Sequence, residues 1–231
     1  MDEATPSDKK SREYIVLLGP PGAGKSSLGR RLAREFGFAY ISTGDIFRDA
    51  ITRGTPLGQR VHRYLEAGRL VPDRLVEEIM RACLESQRVA HVLLLDGFPR
   101  TVAQAGWLDG FLDAQHTPLR LVILVDVDDE VAFRRLSGRR VCPVCGRVYN
   151  IYYAPPRVPD HCDMDGARLV QRPDDAPDIV RERLRVYHKT VDLVIDYYRE
   201  DGRLYRLDGH QLPEAVYEEA IALLREKGVL S

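Results

Sequence analysis

The amino-acid sequence predicts an α/β protein: a five-stranded parallel sheet flanked by helices and interrupted by two inserted segments. Three observations carry this expectation. Short apolar runs alternate along the chain with amphipathic stretches of helical period, the pattern of successive β-α-β units. The first apolar run, Tyr14–Leu18, opens into the glycine-rich turn Gly19-Pro20-Pro21-Gly22-Ala23-Gly24-Lys25-Ser26, which leads directly into a helical pattern. Two stretches, 43–71 and 138–176, break the alternation.

Taken in order, Tyr14–Leu18 is continuously apolar, as a strand buried on both faces should be. A helix is expected over Lys25–Phe36, with Arg30, Arg31 and Arg34 read as a solvated face. A short strand at Ala39–Ile41 precedes two helices, Asp45–Arg53 and Leu57–Ala67, which fill the first interruption without a central strand. Asp73 is placed to cap a helix over Asp73–Ser86 through its carboxylate. Strands at His91–Asp96 and Leu119–Asp126 flank a helix over Thr101–Gln115, and a short helix follows at Asp129–Arg135. The second interruption is rich in Pro, Gly, Cys, Tyr and Asp and has no long helix. Helices over Pro177–Tyr198 and Pro213–Lys227 each carry proline in the first turn, where a missing N–H costs nothing. Between them lies the last strand, Arg203–Leu207. Both interruptions fall at the C-terminal edge of the sheet, where open α/β folds bind ligands.

Bulk properties exclude several classes. The chain of 231 residues can hold one substantial core, and 44% hydrophobic with 30% charged residues is ordinary for a soluble globular protein. A net charge of −1 supplies no basic field for nucleic acid. No apolar run approaches the roughly 20 residues that span a bilayer. The polar segment Met1–Lys10 lacks a signal-peptide core and reads as part of a short disordered extension over 1–13. These features point to the cytoplasm, with neither membrane nor nucleic acid as partner.

The glycine-rich turn matches G-x-x-x-x-G-K-[ST], the phosphate-binding P-loop, in the strand-turn-helix setting that motif needs. Gly22, Ala23 and Gly24 let backbone N–H groups crowd around phosphate oxygens, and the helix N-terminus adds partial positive charge. Lys25 is placed to reach the β/γ-phosphates, and Ser26 or Ser27 to bring a hydroxyl to a magnesium ion. Asp96 ends a buried strand beside the loop, a position suited to orienting the magnesium water shell.

Four cysteines are present. Cys83 lies in a helical pattern and reads as a small buried apolar residue. The other three form Cys142-x2-Cys145-x16-Cys162-x2-Asp165, two short ligand knuckles that an intervening hairpin would bring together around a tetrahedral ion. His161 and Asp163 compete for the fourth position, and the x2 spacing favours Asp165. In a reducing compartment such a cluster binds metal more often than it forms disulfides. A closed set of four protein ligands makes the site structural.

The remaining motifs select one family. Ser42-Thr43-Gly44-Asp45-Ile46-Phe47-Arg48, then Leu95-Asp96-Gly97-Phe98-Pro99-Arg100-Thr101 with Gln104, then Gly138-Arg139-Arg140, Gln171-Arg172-Pro173-Asp174-Asp175 and Val180-Arg181-Glu182-Arg183-Leu184 occur in this order. With the P-loop, they resemble the adenylate kinases of the long-lid form with a zinc-binding lid, from about Tyr14 to the C-terminus. The resemblance implies a P-loop nucleotide-binding CORE made of 14–42, 72–137 and 177–231, an AMP-binding segment at 43–71 and a LID at 138–176. It implies reversible, magnesium-dependent phosphoryl transfer from ATP to AMP giving two ADP, by a monomer that carries a structural zinc ion. Gly22, Ala23, Gly24, Lys25, Ser26 and Ser27 would hold the ATP phosphates. Thr43, Arg48, Gly97, Arg100 and Gln104 would bind AMP, with Arg69, Leu70 and Val71 framing its adenine. Arg135, Arg139, Arg172 and Arg183 would close over the phosphates or stack on the ATP adenine, Arg172 and Arg183 reaching the AMP side as well. Lys25, Arg100 and these four arginines form the catalytic set. Such relatives often carry Gly-Thr where this chain has Ser26-Ser27, so a hydroxyl is retained.

The residues suit that chemistry. An acceptor phosphate with a second pKa near ~6 is already a nucleophile, so no dedicated general base is expected. The obstacle is repulsion between two polyanions, which permanently charged, bidentate arginines relieve. Asp174 and Asp175 would either bind the lid arginines or cap the helix that starts near Pro177, and Gly138 and the segment near Ala176 would serve as hinges. Kinases for UMP, CMP or GMP are the nearest rivals, and Thr43 and Gln104 speak for adenine. A regulatory nucleotide-binding module and a zinc-knuckle protein fit the arginine set and the neutral charge less well.

Overall fold

The structure is a computed structural model that describes residues 12–86 and 90–230. Most of the expected 1–13 extension lies outside the described residues. Alternation of strand and helix runs as expected: β1 (Glu13–Leu18), α1 (Lys25–Phe36), β2 (Ala39–Ser42), α2 (Thr43–Thr52), α3 (Pro56–Glu66), α4 (Asp73–Ser86), β3 (Val92–Asp96), α5 (Val102–Asp113), β4 (Leu119–Asp126) and α6 (Asp129–Ser137). Two short antiparallel strands follow, β5 (Arg139–Val141) and β6 (Val148–Asn150), then a 3-10 turn at Pro173–Asp175, α7 (Pro177–Glu200), β7 (Leu204–Asp208) and α8 (Pro213–Glu226).

β2, β3, β1, β4 and β7 lie side by side in that order, all parallel. The central strand β1 explains its own apolar run. Tyr14, Val16 and Leu18 enter a core with Met80, Leu108 and Val194, from α4, α5 and α7. Ile15 and Leu17 enter a second core with Leu28, Leu32, Ala132 and Leu224, from α1, α6 and α8. Burial on both faces removes the alternation that a half-exposed strand would show. No helix among the described residues is long and apolar enough to cross a membrane.

Some local expectations are corrected. α2 starts at Thr43 rather than Asp45, because Ser42 caps it by accepting a hydrogen bond from the Asp45 N–H at 3.3 Å. Asp73 does not spend its carboxylate on a cap: it accepts from Thr101 Oγ1 at 2.8 Å and Gln104 Nε2 at 2.7 Å. On α1 Arg34 is the most exposed of the three and has a 3.4 Å contact with Glu35, whereas Arg30 pairs with Asp45 and Arg31 pairs with Glu35 and with Glu214 on α8. The helix at Pro177 has no side-chain cap, and Asp174 and Asp175 bind arginines instead.

Candidate active site and metal centre

The end of β1 turns through Gly19–Gly24 around the site. Gly22 has φ +94°, and a Cβ there would come within 2.7 Å of the Ala132 carbonyl oxygen on α6, so only glycine fits. Gly24, in the left-handed region, caps α1 without a side-chain bond; its carbonyl takes the Ser27 and Leu28 N–H groups, which leaves those of Lys25 and Ser26 for a ligand. Lys25 Nζ curls back over the loop and donates to the carbonyls of Gly19 and Pro20, each at 2.8 Å. Burial drives its pKa down to about 8, against the pull of Asp96 and with the help of Arg100, Arg183 and Arg139.

Asp96, buried at the end of β3, accepts a hydrogen bond from Ser26 Oγ at 2.6 Å. Of the two P-loop hydroxyls it is therefore Ser26 that meets the carboxylate, and the exposed Ser27 does not. A second donor to Asp96 is the Tyr40 hydroxyl.

A cavity of about 120 Å³ opens beside the loop, lined by Gly22, Lys25, Ser26, Asp96, Gly97 and by Arg48, Arg100, Arg139, Arg172 and Arg183. It adjoins a smaller one of about 70 Å³, lined by Thr43, Arg48, Arg69, Leu70, Val71, Gly97, Arg100, Gln104 and Arg183 with Phe47, Leu65 and Val76. The two together form one continuous cleft beside the loop. Ala23, Gly24, Ser27 and Arg135 lie outside both linings. Arg135 is nonetheless adjacent, its Nη1 3.5 Å from the Ala23 carbonyl oxygen.

The arginines divide into two groups. Arg139 forks onto Asp175, Nε to Oδ2 at 2.7 Å and Nη2 to Oδ1 at 2.6 Å. Arg183 Nη1 donates to the Asp174 carbonyl at 2.7 Å and lies 3.2 Å from the Asp174 carboxylate and 3.3 Å from that of Asp175. Arg48 pairs with Asp45 at 2.8 Å and stands 3.8 Å from Asp174. Burial opposes the charge of Asp174, but Arg183 and Arg48 overcome it and hold the carboxyl below its ordinary range. Arg100 and Arg172 have no carboxylate partner among the described residues: Arg100 Nε donates only to the Gly97 carbonyl, at 2.8 Å. Arg100 is exposed and lines both cavities. Enclosure by protein, then the charge of Arg183, push it down to about 10. Arg172 is pushed to about 10 by burial, then by Arg139 and Arg48. Both stay fully charged at neutral pH.

In the second cavity Thr43 Oγ1 donates to the Gly97 carbonyl at 2.9 Å. The buried Gln104 amide is held at both ends, Oε1 accepting from the Arg100 N–H at 2.8 Å and Nε2 donating to Asp73. Asp73 thus orients Gln104, and Tyr40 grips Asp96. Sequence reading assigned neither, because nothing in local spacing marks a partner 31 or 56 residues away. Gln171 also went unassigned: its Nε2 donates to the carbonyls of Ser137 at 3.0 Å and Asp175 at 3.1 Å, tying together the two ends of 138–176.

At the far end of that segment, Cys142, Cys145, Cys162 and Asp165 bring their ligand atoms within 4.8 Å of one another. The rivals are occupied elsewhere, His161 Nδ1 with the Pro159 carbonyl and Asp163 Oδ1 with the Arg157 N–H, both at 2.8 Å. Backbone N–H groups of Val144 and Cys145 point at Cys142 Sγ and that of Met164 at Cys162 Sγ, each at 3.4 Å, as thiolates require. Three sulfurs and one carboxylate oxygen are a donor set that fits zinc.

A P-loop, a carboxylate at the end of the neighbouring strand and a ring of arginines facing two adjoining cavities define a phosphotransferase that takes two phosphorylated substrates. A family profile described as adenylate kinase matches residues 17–203. The adenylate kinase of Thermotoga maritima is 46% identical over 197 residues, 85% of this chain and 90% of the relative. That of Archaeoglobus fulgidus is 42% identical over 212 residues, 92% of this chain and 98% of the relative. That of Moorella thermoacetica is 46% identical over 202 residues, 87% and 93% respectively. The chain belongs to the adenylate kinase family.

Proposed function

We propose that this chain transfers the terminal phosphoryl group of ATP to AMP, reversibly, giving two ADP, and that its residues divide the work between two facing sites. The backbone of Gly22–Ser27 and the Lys25 ammonium hold the donor phosphates, with Arg135 and Arg139 on the same side. Thr43, Arg48, Gly97, Arg100 and Gln104 hold AMP, with Arg69, Leu70 and Val71 against its base. Arg172 and Arg183 reach between the two. Magnesium bound with ATP would supply charge neutralisation of the donor phosphates, and Ser26 and Asp96 would be the residues that meet its water shell.

The observation that carries this reading is the lack, among the described residues, of any carboxylate partner for Arg100 and Arg172, which stand in the cleft between Lys25 and the Thr43–Val71 cavity. Two unneutralised guanidinium groups in a crowded, positively charged cleft are costly unless an anion completes them. Their planar forks suit phosphate, and charge developing on a transferring phosphoryl group is where such a group acts. No side chain needs to remove a proton, since the attacking oxygen is already ionised.

Residues 14–42, 72–137 and 177–231 act as the fixed CORE, 43–71 as the AMP segment and 138–176 as a LID that excludes water, hinged near Gly138 and Ala176. The lid's own apolar cluster is Cys142, Tyr149, Cys162 and Leu169, too small to fold it alone. A zinc ion on Cys142, Cys145, Cys162 and Asp165 would supply the missing energy. The protein acts as a cytoplasmic monomer on ATP, AMP and ADP.

The test is ADP formation from magnesium-ATP with AMP, CMP, UMP and GMP offered one at a time. Turnover is expected with AMP. Equal turnover with a pyrimidine or guanine monophosphate, or none with AMP, overturns the reading.

A further inference from the structure

We propose that Tyr40 is a positioning residue for phosphoryl transfer: its hydroxyl, together with that of Ser26, fixes the Asp96 carboxylate so that one oxygen is presented to the magnesium–nucleotide. The inference rests on the proposed place of Asp96 beside the metal's water shell.

The geometry is specific. Asp96 is 4% exposed. Its Oδ2 accepts both hydrogen bonds, from Ser26 Oγ at 2.6 Å and from the Tyr40 hydroxyl at 2.5 Å. No donor among the described residues reaches Oδ1, while Asp96 lines the cavity beside Lys25. Two O–H donors arriving from different elements, α1 and β2, define the plane of the carboxylate and stop it from rotating. The lone pairs of Oδ1 are left for a donor in the cavity, which is what a metal-bound water provides.

Tyr40 is built into this position from three directions. Its parallel register on β2 sets it opposite Leu94, two residues before the pair Ser42 and Asp96, so that it leans along the strand toward the end of β3. Its ring crosses α1 at Gly29, where a Cβ would lie 2.6 Å from the ring, so any side chain there would push the hydroxyl off Asp96. From solvent, the Arg30 guanidinium covers the ring at 5.7 Å from its centroid and is itself held by Asp45. A tyrosine needed only for packing would not require its hydroxyl to enter a buried carboxylate site.

The test is direct binding to the full chain. Equilibrium affinities for manganese-ATP, followed by the electron paramagnetic resonance of Mn²⁺, and for ATP in divalent-free buffer, followed by calorimetry, are measured for the wild type and for Tyr40→Phe, Ser26→Ala, the double variant and Asp96→Asn. Tyr40→Phe keeps the ring over Gly29 and removes one donor. It is expected to weaken manganese-ATP by about fivefold to tenfold, less than loss of a direct hydrogen bond to a charged group would, because Tyr40 acts through Asp96, and to leave metal-free ATP unchanged. The double variant should lose less than the product of the two single losses, because both hydroxyls act through the same oxygen. Equal weakening with and without metal, or full additivity, would make Tyr40 a packing residue and overturn the inference. So would an unchanged Tyr40→Phe beside a weakened Asp96→Asn. An unchanged Asp96→Asn overturns the metal reading of Asp96 itself, and this inference with it.

Discussion

Asp175→Asn tests how the cationic cleft is held together before nucleotides arrive. Asp175 has no exposed surface and takes the bidentate fork of Arg139 at 2.6 and 2.7 Å, with Arg183 at 3.3 Å. Asparagine keeps the shape, removes the charge and turns an N–H₂ group toward one arm of the fork. Removing one partner of a buried pair costs ~3–5 kcal/mol. Arg139 and Arg183 keep 21% side-chain exposure each, so water screens part of the loss and reduces it to ~2–3 kcal/mol. For a chain of this size each kcal/mol moves Tm by about 2–4 °C, which gives a drop of ~4–12 °C. A bisubstrate mimic such as diadenosine pentaphosphate supplies the anion that the variant lacks. It should therefore raise the variant's Tm by more than it raises that of the wild type, recovering much of the difference. The assay is thermal unfolding by circular dichroism, with and without saturating mimic. A variant melting within ~1 °C of wild type, or an equal ligand-induced rise in both proteins, would refute the idea that Asp175 neutralises these arginines in the empty cleft.

Two further outcomes follow from the site. Lys25 has a folded pKa of about 8, depressed chiefly by burial, whereas the unfolded chain keeps an ordinary lysine. Between these values the unfolded state binds more protons, so this group makes the nucleotide-free protein more stable as pH rises from about 8 to ~10.4. Polyphosphate binding restores the charge, so titration with ATP near pH ~8.5 should take up protons, read by calorimetry in buffers of different ionisation enthalpy. Lys25→Met should abolish that uptake while staying folded, and persistence of the uptake would show that another group titrates. Chelation of a zinc-loaded sample under reducing conditions should lower Tm before it stops turnover, because the proposed zinc would hold the lid and touch no substrate. An unmoved melting curve, with no bound metal by elemental analysis, would remove the zinc assignment.

The sequence was most legible where burial is complete and partners are local. β1, β3 and most of β4 are apolar runs because both faces of the sheet are covered, and α1 announces itself by its N-cap glycine and α7 and α8 by proline in their first turns. The P-loop motif is legible for the same reason, since its groups follow one another in the chain. What stayed hidden depends on contacts distant in sequence. Asp73 has the look of a cap, yet its partners lie 28 and 31 residues away on the far side of β3. Arg31 has the period of a solvated face, yet it reaches Glu214 on α8, 183 residues on, with its guanidinium carbon 3.5 Å from the centroid of the Tyr217 ring. β5 and β6 are three residues each, too short to raise a periodic signal above a Gly- and Cys-rich background.

The position of Asp174 and Asp175 in the chain bears on how the cleft can open and close cheaply. Both lie where segment 138–176 rejoins the rest of the chain, and Arg139 lies where that segment begins. Arg183 belongs to α7, and Arg48 to α2 in the proposed AMP segment. The two aspartates thus pull on groups from all three proposed parts at once. An arriving phosphate competes for these same guanidinium groups, exchanging a carboxylate contact for a phosphate contact of similar strength. Such an exchange is nearly isoenergetic for the paired arginines, so net binding energy comes from the unpaired ones, Arg100 and Arg172. In the proposed reading those two would also contact the phosphates under transfer, which would concentrate the binding energy where charge moves during the reaction. Product release then lets the aspartates take back Arg139 and Arg183, so that of these arginines only Arg100 and Arg172 return to the unpaired state.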